Sequence, residues 1–166
     1  MLFRSAVVSV FSADGSSLTY STYLGGSEDL DQAIDVALGA DGKITVVGTT
    51  QSDNFPVTNA VQAGTKSQPD LFVTQFTPAG DELVFSTYLG GWNWDYGGGV
   101  AIGEDGSVIA VGIAVSANYP VYEACQPANA GGYEAVVTKL SPGGTPFVYS
   151  TRSEERRVGK ECRSRW

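Results

Sequence analysis

Two stretches, LTYSTYLGGS at 18–27 and LVFSTYLGGW at 83–92, are nearly one sequence, 65 residues apart. A third begins as FVYST at 147–151 and leaves the phrase at Arg152. Repetition at a fixed period constrains a fold more than any other sequence feature, because each copy must form the same unit and bury its faces on its neighbours. The repetition also runs well beyond these phrases. One residue drops out between SEDLD and WNWD, and the offset then stays at 64. GADGKITVVG (39–48) lies over GEDGSVIAVG (103–112), SDNFPV (52–57) over SANYPV (116–121), and DLFVTQFTPAG (70–80) over EAVVTKLSPGG (134–144). The segment 5–15, SAVVSVFSADG, matches the last pair more loosely.

Each unit reads as two hairpins. In 32–50, alternating apolar residues flank Asp41-Gly42, and in 70–91 they flank Pro78-Ala79-Gly80. Asp-Gly between alternating runs is a hairpin signal, since glycine takes the positive φ of a tight turn. The second copy turns at Asp105-Gly106 and Pro142-Gly143-Gly144. Period-2 patterning without a helical period predicts four antiparallel strands per unit. One such sheet cannot cover both its faces, but sheets repeated at constant period stack around an axis. The expected fold is therefore all-β: an incomplete β-propeller fragment of four-stranded antiparallel blades with a 64–65-residue repeat. A β-sandwich is the competing architecture, but its strands do not normally repeat so faithfully. The expected boundaries are 1–29 for the outer two strands of a first blade, 30–91 for a complete blade, and 92–151 for a blade cut in its last strand. Residues 152–166 form a tail of different character.

The string STYLGG, followed by Asp, VVGTT and S-D-N-F-P, resembles the SBBP repeat, a family named for seven-bladed β-propellers in bacterial secreted and surface proteins. The residues carrying the likeness are Tyr20 to Gly26, Asp31, Ala33, Asp41-Gly42, Val46 to Thr50, Ser52, Asp53 and Phe55-Pro56. The second copy matches at Phe85 to Gly91, Asp95, Asp105-Gly106, Val111-Gly112, Ser116 and Tyr119-Pro120, and departs at Ala117. The resemblance implies the propeller fold and an exported or cell-surface parent protein. It brings no catalytic residues.

Composition narrows the function. The tail 152–166 holds six of the ten basic and three of the eighteen acidic residues, which leaves four basic against fifteen acidic in 1–151, a net of −11. Such a body repels nucleic-acid phosphates and anionic membranes, so neither is an expected partner. No apolar run approaches the ~20 residues of a spanning helix, and the N-terminal stretch alternates like a strand rather than a signal peptide. The tail RSEERRVGKECRSRW breaks the repeat in mid-strand and resembles a translated sequencing-library adapter; a basic binding tail is the competing reading.

Histidine is absent, which removes Ser-His, Cys-His and His-metal chemistry. Gly97-Gly98-Gly99 and Gly131-Gly132 lack the Lys-Ser/Thr of a phosphate loop and read as close backbone approach or loop. Glu28, Asp29 and Asp31 could offer carboxylates to Ca²⁺, although the second copy keeps only Asp95; capping of the turn is the plainer role of Asp31 and Asp95. The acids of the Asp-Gly turns read as turn chemistry. Phe55-Pro56 and Tyr119-Pro120 recur as expected pegs between sheets. Cys125 stands where the previous unit has Val61 and reads as a small buried thiol. Trp92, Asn93 and Trp94 form the candidate contact loop, where paired aromatics could stack on a sugar or grip a protein; packing on a neighbouring sheet is the structural alternative. The expected function is a non-enzymatic binding or display module for protein or glycan, its other partners being further blades. The alternative is a piece of a propeller enzyme acting on polymers at the central channel. That would need converging carboxylates, and the inner strands offer Asp35 opposite Gly99.

Overall fold

The computed structural model describes residues 5–28, 30–64 and 69–153. Among them there are ten strands and no helix. The strands are β1 (Ala6–Phe11), β2 (Leu18–Leu24), β3 (Asp31–Leu38), β4 (Ile44–Thr50), β5 (Asp70–Phe76), β6 (Leu83–Leu89), β7 (Asp95–Ile102), β8 (Val108–Ala114), β9 (Glu134–Leu140) and β10 (Phe147–Arg152). They form three antiparallel sheets in sequence order: β1–β2, β3–β4–β5–β6 and β7–β8–β9–β10. The strand β10 runs through Arg152, one residue past the expected boundary; the rest of that tail, from 154 on, lies outside the described residues.

The hairpins form where the sequence places them. Gly42 and Gly106 take φ of 81° and 78° in the Asp-Gly turns, a left-handed conformation that a Cβ disfavours. The aspartate before each glycine fixes the turn by accepting a backbone N–H two residues on: Lys43 N to Asp41 Oδ1 at 3.1 Å and Ser107 N to Asp105 Oδ1 at 3.0 Å.

Alternation along the strands of the second sheet supplies two different apolar faces. Val46, Phe72, Phe76 and Tyr88 meet Ala6, Val8 and Leu24 of the first sheet, and Phe55 is buried in that layer. Val47, Leu71, Val73, Phe85 and Leu89 meet Val108, Ala110, Val136 and Leu140 of the third, with Tyr119 in the layer. The pegs Phe55 and Tyr119 therefore sit between sheets, as their recurrence suggested. This double cover buries β4 and β5 along their whole length, whereas β3, at the edge of the second sheet, is mostly exposed, with Ile34, Val36 and Leu38 in solvent.

Equivalent devices join each sheet to the next. The ring of Tyr20 in the first sheet lies where a Cβ on Gly80 of the second would stand, and Phe85 of the second lies likewise over Gly144 of the third. Glycine is needed at both turns because the aromatic occupies that space. Nearer the other side of the sheets, β7 approaches β3 and β4. A Cβ on Gly97 would collide with the backbone of Gly48, so the triple glycine does serve close backbone approach. Gly97 N donates to Thr49 Oγ1 at 3.1 Å, and Val100 N donates to Asp35 Oδ2 at 2.9 Å across the same junction.

The two outer faces have no such cover. On the first sheet Val7, Phe11, Leu18 and Tyr23 are exposed, and on the third Val111, Ile113 and Val148. Cys125 corrects the sequence reading: it is exposed and disulfide-bonded, not a buried thiol. Its counterpart Val61 packs into the layer between the second and third sheets, whereas Cys125 stands on the far side of the third, where no described sheet follows.

Candidate contact loop

The loop joining β6 to β7 carries Trp92, Asn93 and Trp94, and its construction can be read from the loop joining β2 to β3. In both, Gly-Gly follows the end of a strand and the next strand begins with aspartate. Gly26 N donates to Asp31 Oδ2 and Gly91 N to Asp95 Oδ2, each at 2.7 Å. Asn54 Oδ1 accepts the N–H of Ser27 and Asn118 Oδ1 that of Trp92, each at 2.8 Å. The Ser52 hydroxyl accepts Glu28 N at 3.0 Å, and the Ser116 hydroxyl accepts Asn93 N at 2.8 Å. A Cβ on Gly26 would meet Ser52 and Asn54; on Gly91 it would meet Ser116 and Asn118. The recurring Gly-Gly, Asp, and Ser-x-Asn are thus one hydrogen-bonded unit. The residue between serine and asparagine is exposed in both copies, so Ala117 in place of Asp53 leaves these bonds intact.

Sequence reasoning aligned Asn54 with Asn118 but gave them no role; their recurrence two residues after each serine was the available signal. Asp31 and Asp95 are turn caps, as expected, and both are buried. Thr50 and Ser52 donate their hydroxyls to Asp31. With Gly26 N these donors occupy both carboxylate oxygens, which leaves little of that group for a Ca²⁺ ion. Glu28 is exposed, and Asp29 lies outside the described residues. No cluster of three or more acidic, cysteine or histidine side chains suited to a metal occurs among the described residues.

Trp92 is 76% exposed and Trp94 50%. Neither indole is buried against a described sheet. Their backbone is held from below: beyond the bonds above, Trp94 N donates to Asn93 Oδ1 at 2.9 Å and Val115 N donates to the carbonyl of Trp94 at 2.9 Å. Two large indoles therefore stand in solvent on a loop whose N–H groups are all engaged. Beside Asn118 an open, mainly polar depression of about 500 Å³ is lined by Gln62, Ala63, Gly64, Gly90 and Pro120.

Burial of the Asp95 carboxyl raises its pKa above the ordinary carboxylate value, against the lowering effect of its Ser116, Gly91 and Val115 donors. The exposed turn acids go the other way. The Ser12 hydroxyl, with Ser16, holds Asp14 down to about 2, and the Ser107 hydroxyl and N–H hold Asp105 down to about 2. The contributions to stability have opposite signs. Those of Asp14 and Asp105 are present above the unfolded-state value and are lost as pH falls through about 2. That of Asp95 is present below the unfolded-state value and is lost as pH rises through its raised one. Carboxyl-carbon NMR titration should find Asp14 and Asp105 ionised at a pH where Asp95 is protonated; the reverse order would contradict the assigned hydrogen bonds.

Neither a protein-family model nor a curated protein matches the chain. What fold and site define together is an all-β chain of four-stranded antiparallel sheets that carries an exposed tryptophan pair on a braced loop. The likeness to the SBBP repeat rests on its motif residues alone.

Proposed function

We propose that the two four-stranded sheets are successive blades of a β-propeller in an exported bacterial protein, and that this part of it is a non-enzymatic binding module. Its contact element is the loop Trp92–Asn93–Trp94, and its ligand is a glycan or a protein surface. The observation that carries the reading is the exposure of both indoles on a braced loop. Tryptophan provides large flat contact area at low entropic cost, and a loop ordered beforehand adds little ordering cost on binding. The repeat itself, with sheets stacked in chain order and four strands each, supports the propeller reading. So does the approach of β7, first strand of its sheet, to β3, first strand of the sheet before.

The enzymatic alternative has little behind it in the described residues. Asp35 is the acid on the first strands that is not a turn cap, and its carboxylate accepts Val36 N and Val100 N. It is engaged with backbone and has Gly99 opposite.

Tryptophan fluorescence tests the binding role. Soluble polysaccharides and peptides from extracellular matrices, titrated into the chain, should quench or shift the indole emission with saturation. Trp92→Ala and Trp94→Ala should each weaken that binding by roughly tenfold or more, as loss of a central aromatic contact does. Binding that both variants retain in full would remove the loop from the account, and with it the proposed role.

A further inference from the structure

The uncovered face of the third sheet, and that of the two-stranded first sheet through its equivalents of β5 and β6 alone, match the two sides of an interface that the molecule already contains twice. On the third sheet Val111, Ala135, Val137 and Tyr149 stand at the positions of Val47, Leu71, Val73 and Phe85, which the second sheet buries against the third. On the first sheet Val7, Phe11 and Tyr23 stand at the positions of Phe72, Phe76 and Tyr88, which the second sheet buries against the first. Phe11 is 61% exposed and Tyr23 79%.

The aromatic-over-glycine device carries the match further. Tyr20 covers Gly80 and Phe85 covers Gly144. By the same register the next aromatic is Tyr149, on the uncovered side of the third sheet. The glycine equivalent to Gly80 and Gly144 is Gly15 of the first sheet, and the space its Cβ would occupy is open, with no atom within 4 Å.

We infer that a second copy of this chain docks head to tail, the third sheet of one molecule covering the first sheet of the next, with Tyr149 over the partner's Gly15. The contact is heterologous, so it extends into a ring or an open chain instead of stopping at a symmetric dimer. One residue on this face departs from the internal interface: Lys139 replaces buried Gln75, and it is paired with Asp105 at 3.5 Å. That pair lies toward the turns, where a charge can keep contact with water. The inference uses the stacking of the sheets and is independent of the tryptophan loop, so either can fail alone.

Sedimentation velocity on the full chain, from micromolar to millimolar concentration, tests it together with Val111→Lys and Tyr23→Lys. Both substituted side chains are exposed in the single molecule, and unchanged circular dichroism verifies the fold of each variant. The parent chain should form species larger than a dimer as concentration rises. Each variant, having lost one half of the contact, should self-associate roughly tenfold more weakly or worse. Mixed, the two variants should form a dimer and stop, because Val111→Lys keeps an intact first sheet and Tyr23→Lys an intact third. Tyr149→Lys replaces Val111→Lys in the mixture should the latter misfold. A parent monomeric throughout the range, variants that assemble as the parent does, or a mixture that forms no dimer would each overturn the inference.

Discussion

Replacing Arg152 by alanine is expected to lower the stability of the chain by about 3–5 kcal/mol, the usual cost of stranding one partner of a buried ion pair. That is a large share of the roughly 5–15 kcal/mol typical of a folded domain. Arg152 lies at the position that Tyr23 and Tyr88 hold in the earlier phrases, and it performs the same task by different chemistry. Tyr88 donates its hydroxyl to the carbonyl of Ser52 at 2.7 Å; Arg152 donates Nη2 to the carbonyl of Ser116, the equivalent residue, at 2.6 Å. Tyr88 packs its ring 5.9 Å from that of Phe55, and the Arg152 guanidinium sits 5.8 Å from the ring of Tyr119. The charge brings its own partner, Glu134, whose carboxylate lies 2.6 Å away and is likewise buried. Without the guanidinium, the partners left to that carboxylate among the described residues are the Asn129 amide and the Ala130 N–H. The double variant Arg152→Tyr with Glu134→Gln removes both charges and restores the tyrosine, so it should recover most of the loss or exceed the parent. Denaturant unfolding measures all three proteins. Arg152→Ala unfolding at the parent's midpoint would show that the pair is not buried as described.

Phe72→Ala has the second largest expected effect, about 3–5 kcal/mol for a large buried aromatic. Phe72 is fully buried at the layer between the first and second sheets, with its ring 4.5 Å from that of Phe55. It also presses on Gly48, where a Cβ would touch the ring. The void left by alanine cannot easily be refilled, because Gly48 has no side chain to move into it and β4 and β5 are hydrogen-bonded on both edges. The same substitution at the equivalent position of the first sheet, Val7→Ala, should cost well under 1 kcal/mol at dilute concentration, since Val7 faces solvent. This contrast between equivalent positions, read by thermal or denaturant melts, separates a packed stack of sheets from three loosely associated ones. Equal effects at the two positions would favour the latter.

Much of this was legible in the sequence because the repeat supplies its own comparison. Wherever two copies agree, as at Asp41-Gly42 and Asp105-Gly106 or at Phe55 and Tyr119, the common residue serves the common fold. Strand order and sheet membership followed from that register. The places where reading failed are those where the copies differ or where a neighbour decides the outcome. Cys125 looked buried because Val61 was its counterpart, but burial there depends on a following sheet, not on the local sequence. The tryptophans are absent from the first loop, so the register could not say whether they packed or stood free. Arg152 was assigned to the divergent tail, because nothing local shows that an arginine there meets Glu134 on the adjacent strand. Capping was the plainer role of Asp31 and Asp95 from the start, but not the donors that fix it: two hydroxyls and one N–H at Asp31, backbone N–H groups at Asp95.

Amide hydrogen exchange, followed strand by strand at a concentration below self-association, tests the stacked-sheet account most directly. Protection depends on burial and on hydrogen bonding at both edges of a strand. Slowest exchange is expected in β4 and β5, which are central and covered on both faces, and fastest in β1, β2, β3 and β10, which are hydrogen-bonded along one edge and poorly covered. Protection in β1 and β2 equal to that in β4 and β5, or rapid exchange throughout the second sheet, would contradict it.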